Sequence, residues 1–324
     1  IPNEGGVSVN VNFIEEEILY NTKAYPRQPL KKDNEANIFD FTVDNNFYNS
    51  GNKFPENIVE LGEPAILRDH RIVSVTINPF QYNSEDNSVR IIKNIELSVQ
   101  SNRDVGINEK TKVRNQSRFF EPLYRSEILN YDLITSERDE EFNQPHIVFI
   151  HPDDATILSN LEILSDWKHQ KGFDVTLAST AVAGTSNTSI KSYLQGLYDG
   201  VNPPDFVCLV GDSGDIPTDY VNGGPGDHYY TMLDGTDLLA DTFIGRLSYS
   251  SLTEFQVIIS KILYYERTPY LDDTEWYKDV LLVGDPSSSG QSTIYTSRHI
   301  KEVVTSHDDT FTFNEVYSSP FVSS

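Results

Sequence analysis

Phe206-Val207-Cys208-Leu209-Val210, followed by Gly211-Asp212, is the stretch on which the reading of this chain turns. Its five consecutive apolar residues lie between Pro203-Pro204 and a glycine. That pattern reads as a strand buried on both faces, as parallel sheets require. Outward from it, strands and helices alternate. Upstream, His146-Ile147-Val148-Phe149-Ile150 reads as a buried strand. Residues 155–171 read as a helix, with Leu158, Leu161, Leu164 and Trp167 near helical spacing and a stop at Gly172. Val175-Thr176-Leu177 is a strand, and Ser189 to Tyr198 a helix stopped by Gly200. Downstream come a strand at 242–247, a helix from Leu252 to Arg267, a strand at 280–283, a helix from Ile294 to Thr305 and a strand at 311–313. The alternation predicts a doubly wound, Rossmann-like α/β parallel sheet with flanking helices over residues 144–324.

Residues 1–110 follow a different period. Val7-Ser8-Val9-Asn10-Val11-Asn12-Phe13 alternates apolar and polar, the mark of a half-buried strand. Similar runs span Ile38 to Val43, Ile72 to Ile77, Val89 to Ile92 and Ile95 to Val99, with turn residues such as Asn83-Ser84-Glu85-Asp86-Asn87 between them. This predicts an N-terminal antiparallel β-sandwich, and so an α+β multidomain chain. Residues 111–143 form a connector or processing region. Lys112, Arg114, Arg118, Arg125 and Arg138 alternate there with Phe119, Phe120, Leu123, Tyr124, Ile128 and Leu129. It reads either as a segment that packs against something or as a solvated linker.

The 324 residues carry 25 Lys+Arg against 49 Asp+Glu, a formal net charge of −24. That excess excludes nucleic acid, whose phosphates need clustered cations, and adsorption to anionic membranes. No apolar run reaches transmembrane length, so no membrane insertion is expected. One cysteine precludes an internal disulfide. A single Met among many Asn, Thr, Ser and Tyr suits an exported bacterial protein. Both ends read as cut: residue 1 is Ile, no cleavable leader follows, and Ser318 to Ser324 trails a strand-like run.

Three strand ends are acidic: Gly211-Asp212, Gly284-Asp285 and His151-Pro152-Asp153-Asp154. Ligands sit beyond the carboxyl ends of parallel strands, but the plain role of such Asp residues is to cap turns and helices. Gly211-Asp212-Ser213-Gly214 matches the serine loop of trypsin-like proteases only by letter, since it ends a strand of an α/β pattern. The Gly-x-Ser-x-Gly elbow, the phosphate loop, the dinucleotide fingerprint and the His-Glu-x-x-His zinc helix are all absent. Cys208 lies mid-strand, where burial raises a thiol pKa and blocks access, so it reads as a core residue. Asp234-Gly235-Thr236-Asp237-Leu238-Leu239-Ala240-Asp241 places three carboxylates within eight residues. It reads as a site for a hard cation such as calcium or as a solvated acidic turn.

Several segments in order carry a family likeness. Cys208-Leu209-Val210-Gly211-Asp212-Ser213-Gly214-Asp215-Ile216-Pro217 resembles a conserved segment of gingipain-type cysteine peptidases. Asp227-His228-Tyr229-Tyr230, Asp234 to Asp237, Phe243 to Ser248, Tyr264 to Arg267 and Asp166 to Gly172 extend the match. Val59 to Asp69 and Pro79 to Asn83 resemble that family's prodomain. The resemblance implies a caspase-like catalytic domain and a secreted zymogen acting on protein or peptide substrates. Its catalytic His, in a Gly-His-Gly, and its Cys would follow residue 324. None of the seven His residues here sits in a Gly-His-Gly, so this fragment is expected to be inactive, with no catalytic residue of its own.

The resemblance further implies a Ca2+ site, with carboxylates from Asp237 and Asp241 and main-chain oxygens near Asp234 and Phe243. Thr293 falls where Arg-specific members carry an Asp in the S1 pocket, which argues against Arg specificity. The stretch 110–138 would cover the active site until cleaved. The implied partners are the protein's own C-terminal catalytic portion and type IX secretion machinery, at the surface of, or secreted from, a Gram-negative bacterium. The competing expectations are a non-catalytic relative acting as a calcium-binding adhesion or secretion-system module, and an acidic α/β calcium-binding protein without hydrolytic function.

Overall fold

The computed structural model describes residues 1–28, 41–112, 114–135, 142–221, 224–285 and 291–317. The chain divides into two compact units, one of residues 1–18, 54–81 and 90–267, the other of 19–53, 82–89 and 268–324.

The first hundred residues are β structure, as their alternation predicts. They run β1 (Val7–Leu19), a one-turn helix α1 (Asn45–Tyr48), β2 (Lys53–Phe54), β3 (Val59–Leu61), β4 (Ala65–Leu67), β5 (His70–Ile72), β6 (Val75–Ile77), β7 (Phe80–Asn83) and β8 (Ser88–Ser101). β1, β8, β7 and β2 form one sheet in that order, while β3–β6 and β4–β5 are separate antiparallel pairs. Two facing sheets are the sequence expectation; the described strands group instead as one four-stranded sheet and two short pairs. β1 is mostly exposed, and β8 buries only Ser88 and Ile92. Alternation marks a strand with two unlike faces but does not say what covers the apolar one. The runs at 89–92 and 95–99 are one continuous strand, and the run at 72–77 is broken into two. Of the strand expected at 38–43, residues 38–40 lie outside the described residues, and 41–43 are not in a strand.

In the first unit, α2 (Glu121–Glu127) and α3 (Tyr131–Thr135) follow, then β9 (His146–His151), α4 (Ala155–Gln170), β10 (Asp174–Ser179), α5 (Thr180–Ala183), α6 (Asn187–Tyr198), β11 (Phe206–Val210), a short β12–β13 hairpin (Asp219–Val221, Gly224–Gly226), β14 (Phe243–Leu247) and α7 (Leu252–Arg267). The sheet order is β10-β9-β11-β14, all parallel. Both faces are covered, which is why the strands read as apolar runs. Val148, Ile150, Val207 and Leu209 pack with Ile190, Leu194 and Tyr198 of α6. Their strand neighbours Phe149 and Val210 face the other way, onto Ile157, Leu161 and Leu164 of α4 and Phe255 and Ile259 of α7.

Local signals set the helix ends. The Asp154 carboxylate accepts from the N–H groups of Thr156 and Ile157 at 2.7 and 3.1 Å, capping α4. Ser186 and Ser189 exchange side-chain and backbone bonds at the start of α6.

In the second unit, β15 (Asp279–Val283), α8 (Gln291–His307) and β16 (Thr312–Val316) make a βαβ unit whose strands pair in parallel. The sequence reading counts these strands into one long sheet; they form a separate two-stranded one. Periodicity gives a strand its type but not its neighbour.

Candidate functional site

The acidic segment 234–241 lies just ahead of β14, and in the folded unit it meets the β4–β5 hairpin of the first hundred residues. The Asp241 side chain is fully buried. Its Oδ1 accepts from the Arg68 N–H at 3.1 Å, and its Oδ2 accepts from the N–H groups of Leu233 and Asp234, both at 2.7 Å. Burial pushes this carboxyl up to about 7, and the N–H donors oppose that rise. Asp237 accepts from the Ile66 N–H at 2.8 Å through Oδ2 and from the Leu239 N–H through Oδ1. Asp234 pairs with the Lys110 ammonium at 2.8 Å. Phe243 is 38% exposed, and its ring lies 4.3 Å from that of Phe120.

At the centre is Arg68, 1% exposed, at the tip of the hairpin with a left-handed φ of 48°. Its Nη2 donates to Asp205 Oδ1 at 3.0 Å and to the Pro203 carbonyl at 3.3 Å. Its Nη1 donates to the carbonyls of Pro204 and Asp241 at 2.8 and 2.5 Å. The guanidinium carbon sits 4.9 Å from the centre of the Phe120 ring. Lys110 Nζ donates to the Arg68 carbonyl at 2.6 Å. Asp205, 1% exposed, also accepts from Ser117 Oγ at 2.5 Å and from the His146 N–H at 3.0 Å. Asp69 accepts from the Ser117 N–H and from the Tyr124 hydroxyl. Around this polar centre, Leu67, Phe120, Tyr124, Ile128 and Tyr131 form an apolar cluster. Phe120, Tyr124 and Tyr131 of the connector are thus buried, as a segment that packs requires.

His146 opens β9, Asp205 precedes β11 and Thr242 precedes β14, so this seat is at the amino ends of the parallel strands. The carboxyl ends carry a different set. Gly211, φ 126°, turns the chain out of β11, and a Cβ there would stand 2.7 Å from Cβ of Asp215. Asp212 accepts from the Ser213 N–H, serving its own turn. Arg246 grips Asp227 with Nε and Nη2 at 2.9 and 2.7 Å and donates to the Gly211 and Ile216 carbonyls. His151 Nδ1 lies 2.7 Å from the Pro152 carbonyl. In the second unit, the Asp285 N–H donates to Thr293 Oγ1 at 3.1 Å. Gly290, the first residue of the segment on which the S1 comparison rests, lies outside the described residues.

The structure brings Asp234, Asp237 and Asp241 onto one loop but not around one point. Both Asp241 oxygens and one or more on each neighbour are taken by N–H groups. A calcium ion needs six to eight oxygens free to face it. As arranged here these residues do not fit that ion, and among the described residues no group of three or more His, Cys, Asp or Glu could hold a metal. The stretch expected to cover an active site, 110–138, instead packs in its described part on the amino ends of the strands, through Lys110, Ser117 and Phe120. Sequence reasoning missed Arg68 and Asp205. The only local signal was a charged residue closing the apolar run Ala65-Ile66-Leu67.

Cys208 is the one free thiol. Burial pushes it up to about 12 against the opposing charges of Lys168 and Arg246, although part of its surface remains accessible. It is a thiol, not a thiolate, near neutral pH.

Residues 1–136 match the family model Propeptide_C25, and residues 140–324 match the model of peptidase family C25. Gingipain R2 of Porphyromonas gingivalis is 30% identical over 269 residues, 80% of this chain and 36% of that protein. Lys-gingipain of the same species is 30% identical over 317 residues, 92% of this chain and 18% of that protein. The chain therefore spans about a third or less of the length of these curated relatives. Among solved structures, the Arg-specific cysteine proteinase gingipain R matches with a TM-score of 0.46 at 23% identity, over 56% of this chain and 43% of that one. A complex of the pro- and mature domains of the P. gingivalis protease RgpB matches at 0.47 and 24%, over 54% and 42%.

Proposed function

The chain belongs to peptidase family C25, and from that premise we propose that it is the amino-terminal part of a secreted, gingipain-like cysteine endopeptidase zymogen. The observation that carries this reading is the tandem match, propeptide through residue 136 and peptidase from residue 140.

The four-stranded parallel sheet, covered on both faces, supports a caspase-like catalytic domain in which the reacting groups stand at the carboxyl ends of the strands. Cys208 cannot serve as nucleophile, since its thiol is held neutral in mid-strand. The attacking thiolate and the histidine that activates it then come from residues beyond 324, with an oxyanion hole for the tetrahedral intermediate. This chain supplies the scaffold: Gly211 and the Arg246–Asp227 pair shape the carboxyl edge, and the propeptide seats at the amino edge. The substrate is protein or peptide. Thr293, uncharged, supports a P1 preference other than arginine. Among the described residues no helix is long and apolar enough to cross a membrane. The gingipains of P. gingivalis among its relatives support an exported protein of a Gram-negative bacterium, handled by type IX secretion machinery.

The test is peptide hydrolysis by the full-length protein. Activity that iodoacetamide abolishes and Cys208→Ala preserves supports the reading. Activity untouched by alkylation, or no activity after removal of the propeptide, refutes it.

A further inference from the structure

We propose that Arg68 is the anchor by which the propeptide grips the peptidase part, and that the loop Leu233–Asp241 is its receptor and is closed to cations while it is seated. The proposal rests on the zymogen reading above.

The buried cationic contacts of the seam run one way, although Thr236 and Tyr198 donate back to Asn108 Oδ1 and the Arg68 carbonyl. Donors on Ile66, Arg68, Lys110 and Ser117 face acceptors on Pro203, Pro204, Asp205, Asp234, Asp237 and Asp241. These donor residues precede the meeting point of the two family models, and these acceptors follow it. Arg68 and Asp205 are each 1% exposed and Asp241 is fully buried. Withdrawing one buried guanidinium would leave the Asp205 carboxylate without its counter-charge and three carbonyls without that donor, which is far costlier than losing a surface pair. The planar fork reaches Asp205 and those carbonyls at once, which an ammonium cannot reproduce.

The seat also lies away from the expected chemistry. From Asp205 to Gly211 is six residue steps of extended chain, about 20 Å. Ligand crevices of such sheets open at the carboxyl ends. The anchor therefore retains the propeptide without filling the crevice, and retention is separable from blocking.

The same contacts decide what the acidic loop does. One oxygen on each of Asp234, Asp237 and Asp241 accepts from the propeptide, from Lys110, Ile66 and Arg68 respectively. The Lys110 ammonium beside Asp234 sets a positive charge at the loop, which opposes a divalent cation for as long as it stays.

The experiment uses the full-length zymogen with a specific-protease site placed within 136–140. After cutting, the piece containing Arg68 should stay with the peptidase part on size exclusion. Arg68→Met should weaken retention by roughly two to three orders of magnitude, and Arg68→Lys should restore only part of it. Lys112→Ala, which removes an exposed pair with Asp199, should leave retention unchanged. If Arg68→Met prevents folding of the uncut zymogen, Lys110→Met gives the same readout with a smaller loss. In the uncut zymogen, calcium chloride and EDTA should give the same thermal midpoint. Retention unchanged in Arg68→Met or, where that variant does not fold, in Lys110→Met overturns the anchor. A calcium-dependent rise in the midpoint that Asp237→Asn abolishes overturns the closed loop. A cut protein that separates as predicted but hydrolyses no peptide would sink the peptidase reading alone.

Discussion

The guanidinium of Arg68 and the carboxylate of Asp205 meet at 3.0 Å, 137 residues apart in sequence and both withdrawn from water. The pair joins the hairpin of a propeptide segment to the residue from which the central strand β11 starts. Asp205 also holds the first N–H of β9, and its carbonyl accepts from Phe243 at the start of β14. One residue, through its carboxylate and its carbonyl, thus organises the amino ends of three parallel strands, and the propeptide supplies its counter-charge.

Asp205→Asn should therefore destabilise the zymogen by about 3–5 kcal/mol, the cost of leaving one half of a buried ion pair. Thermal or urea unfolding measures it. A loss no larger than that of Lys112→Ala would show that the pair contributes little.

Cys208 should resist alkylation in the native protein at pH 8 and react readily once the chain is unfolded in urea, because burial pushes its thiol up to about 12. Mass spectrometry after a short iodoacetamide pulse reads this directly. Equal labelling in both states would contradict a neutral core thiol.

Glu266 binds α7 to α4, accepting from Lys168, Lys171 and the Trp167 indole N–H. Burial alone would raise its carboxyl, but these donors and the lysine charges hold it at about 2. An ordinary glutamate titrates near 4.3 when unfolded. Its stabilisation is then complete above that value and is lost as pH falls through about 2. Glu266 is partly solvated, so the effect is no more than about 1 kcal/mol. Glu266→Gln should flatten the fall in stability between pH 5 and pH 2. An unchanged slope would remove the linkage.

Gly211→Ala should cost about 1–3 kcal/mol, because φ of 126° is unfavourable for any side chain and the new Cβ meets Asp215. Denaturant unfolding checks it, and a neutral substitution would mean the turn relaxes freely.

Much of the α/β half was legible in the sequence because burial on two faces writes itself locally. β11 and α7 lie where the apolar run at 206–210 and the spacing at 252–267 put them. α6, α8 and β14 differ only by a few residues at their ends. Strand partnership was not legible: β15 and β16 look like further members of one sheet and, among the described residues, pair with each other. The candidate site was legible in part. The acidic loop stood out by composition, but the cations facing it did not, since Arg68 lies 173 residues from Asp241 and nothing local marks either as the other's partner. Charge density leaves a cation site and a solvated turn both open; the long-range contacts bring an arginine and a lysine to the loop.

Residues 1–136, as the propeptide of a cysteine peptidase, should hold the enzyme latent. The most direct measurement is peptide hydrolysis by the full-length protein before and after a cut within 136–140 and removal of the released piece. Little activity is expected before the cut, a clear rise after removal, and its loss on thiol alkylation. Equal activity in the uncut protein, or activity that alkylation leaves intact, would contradict it.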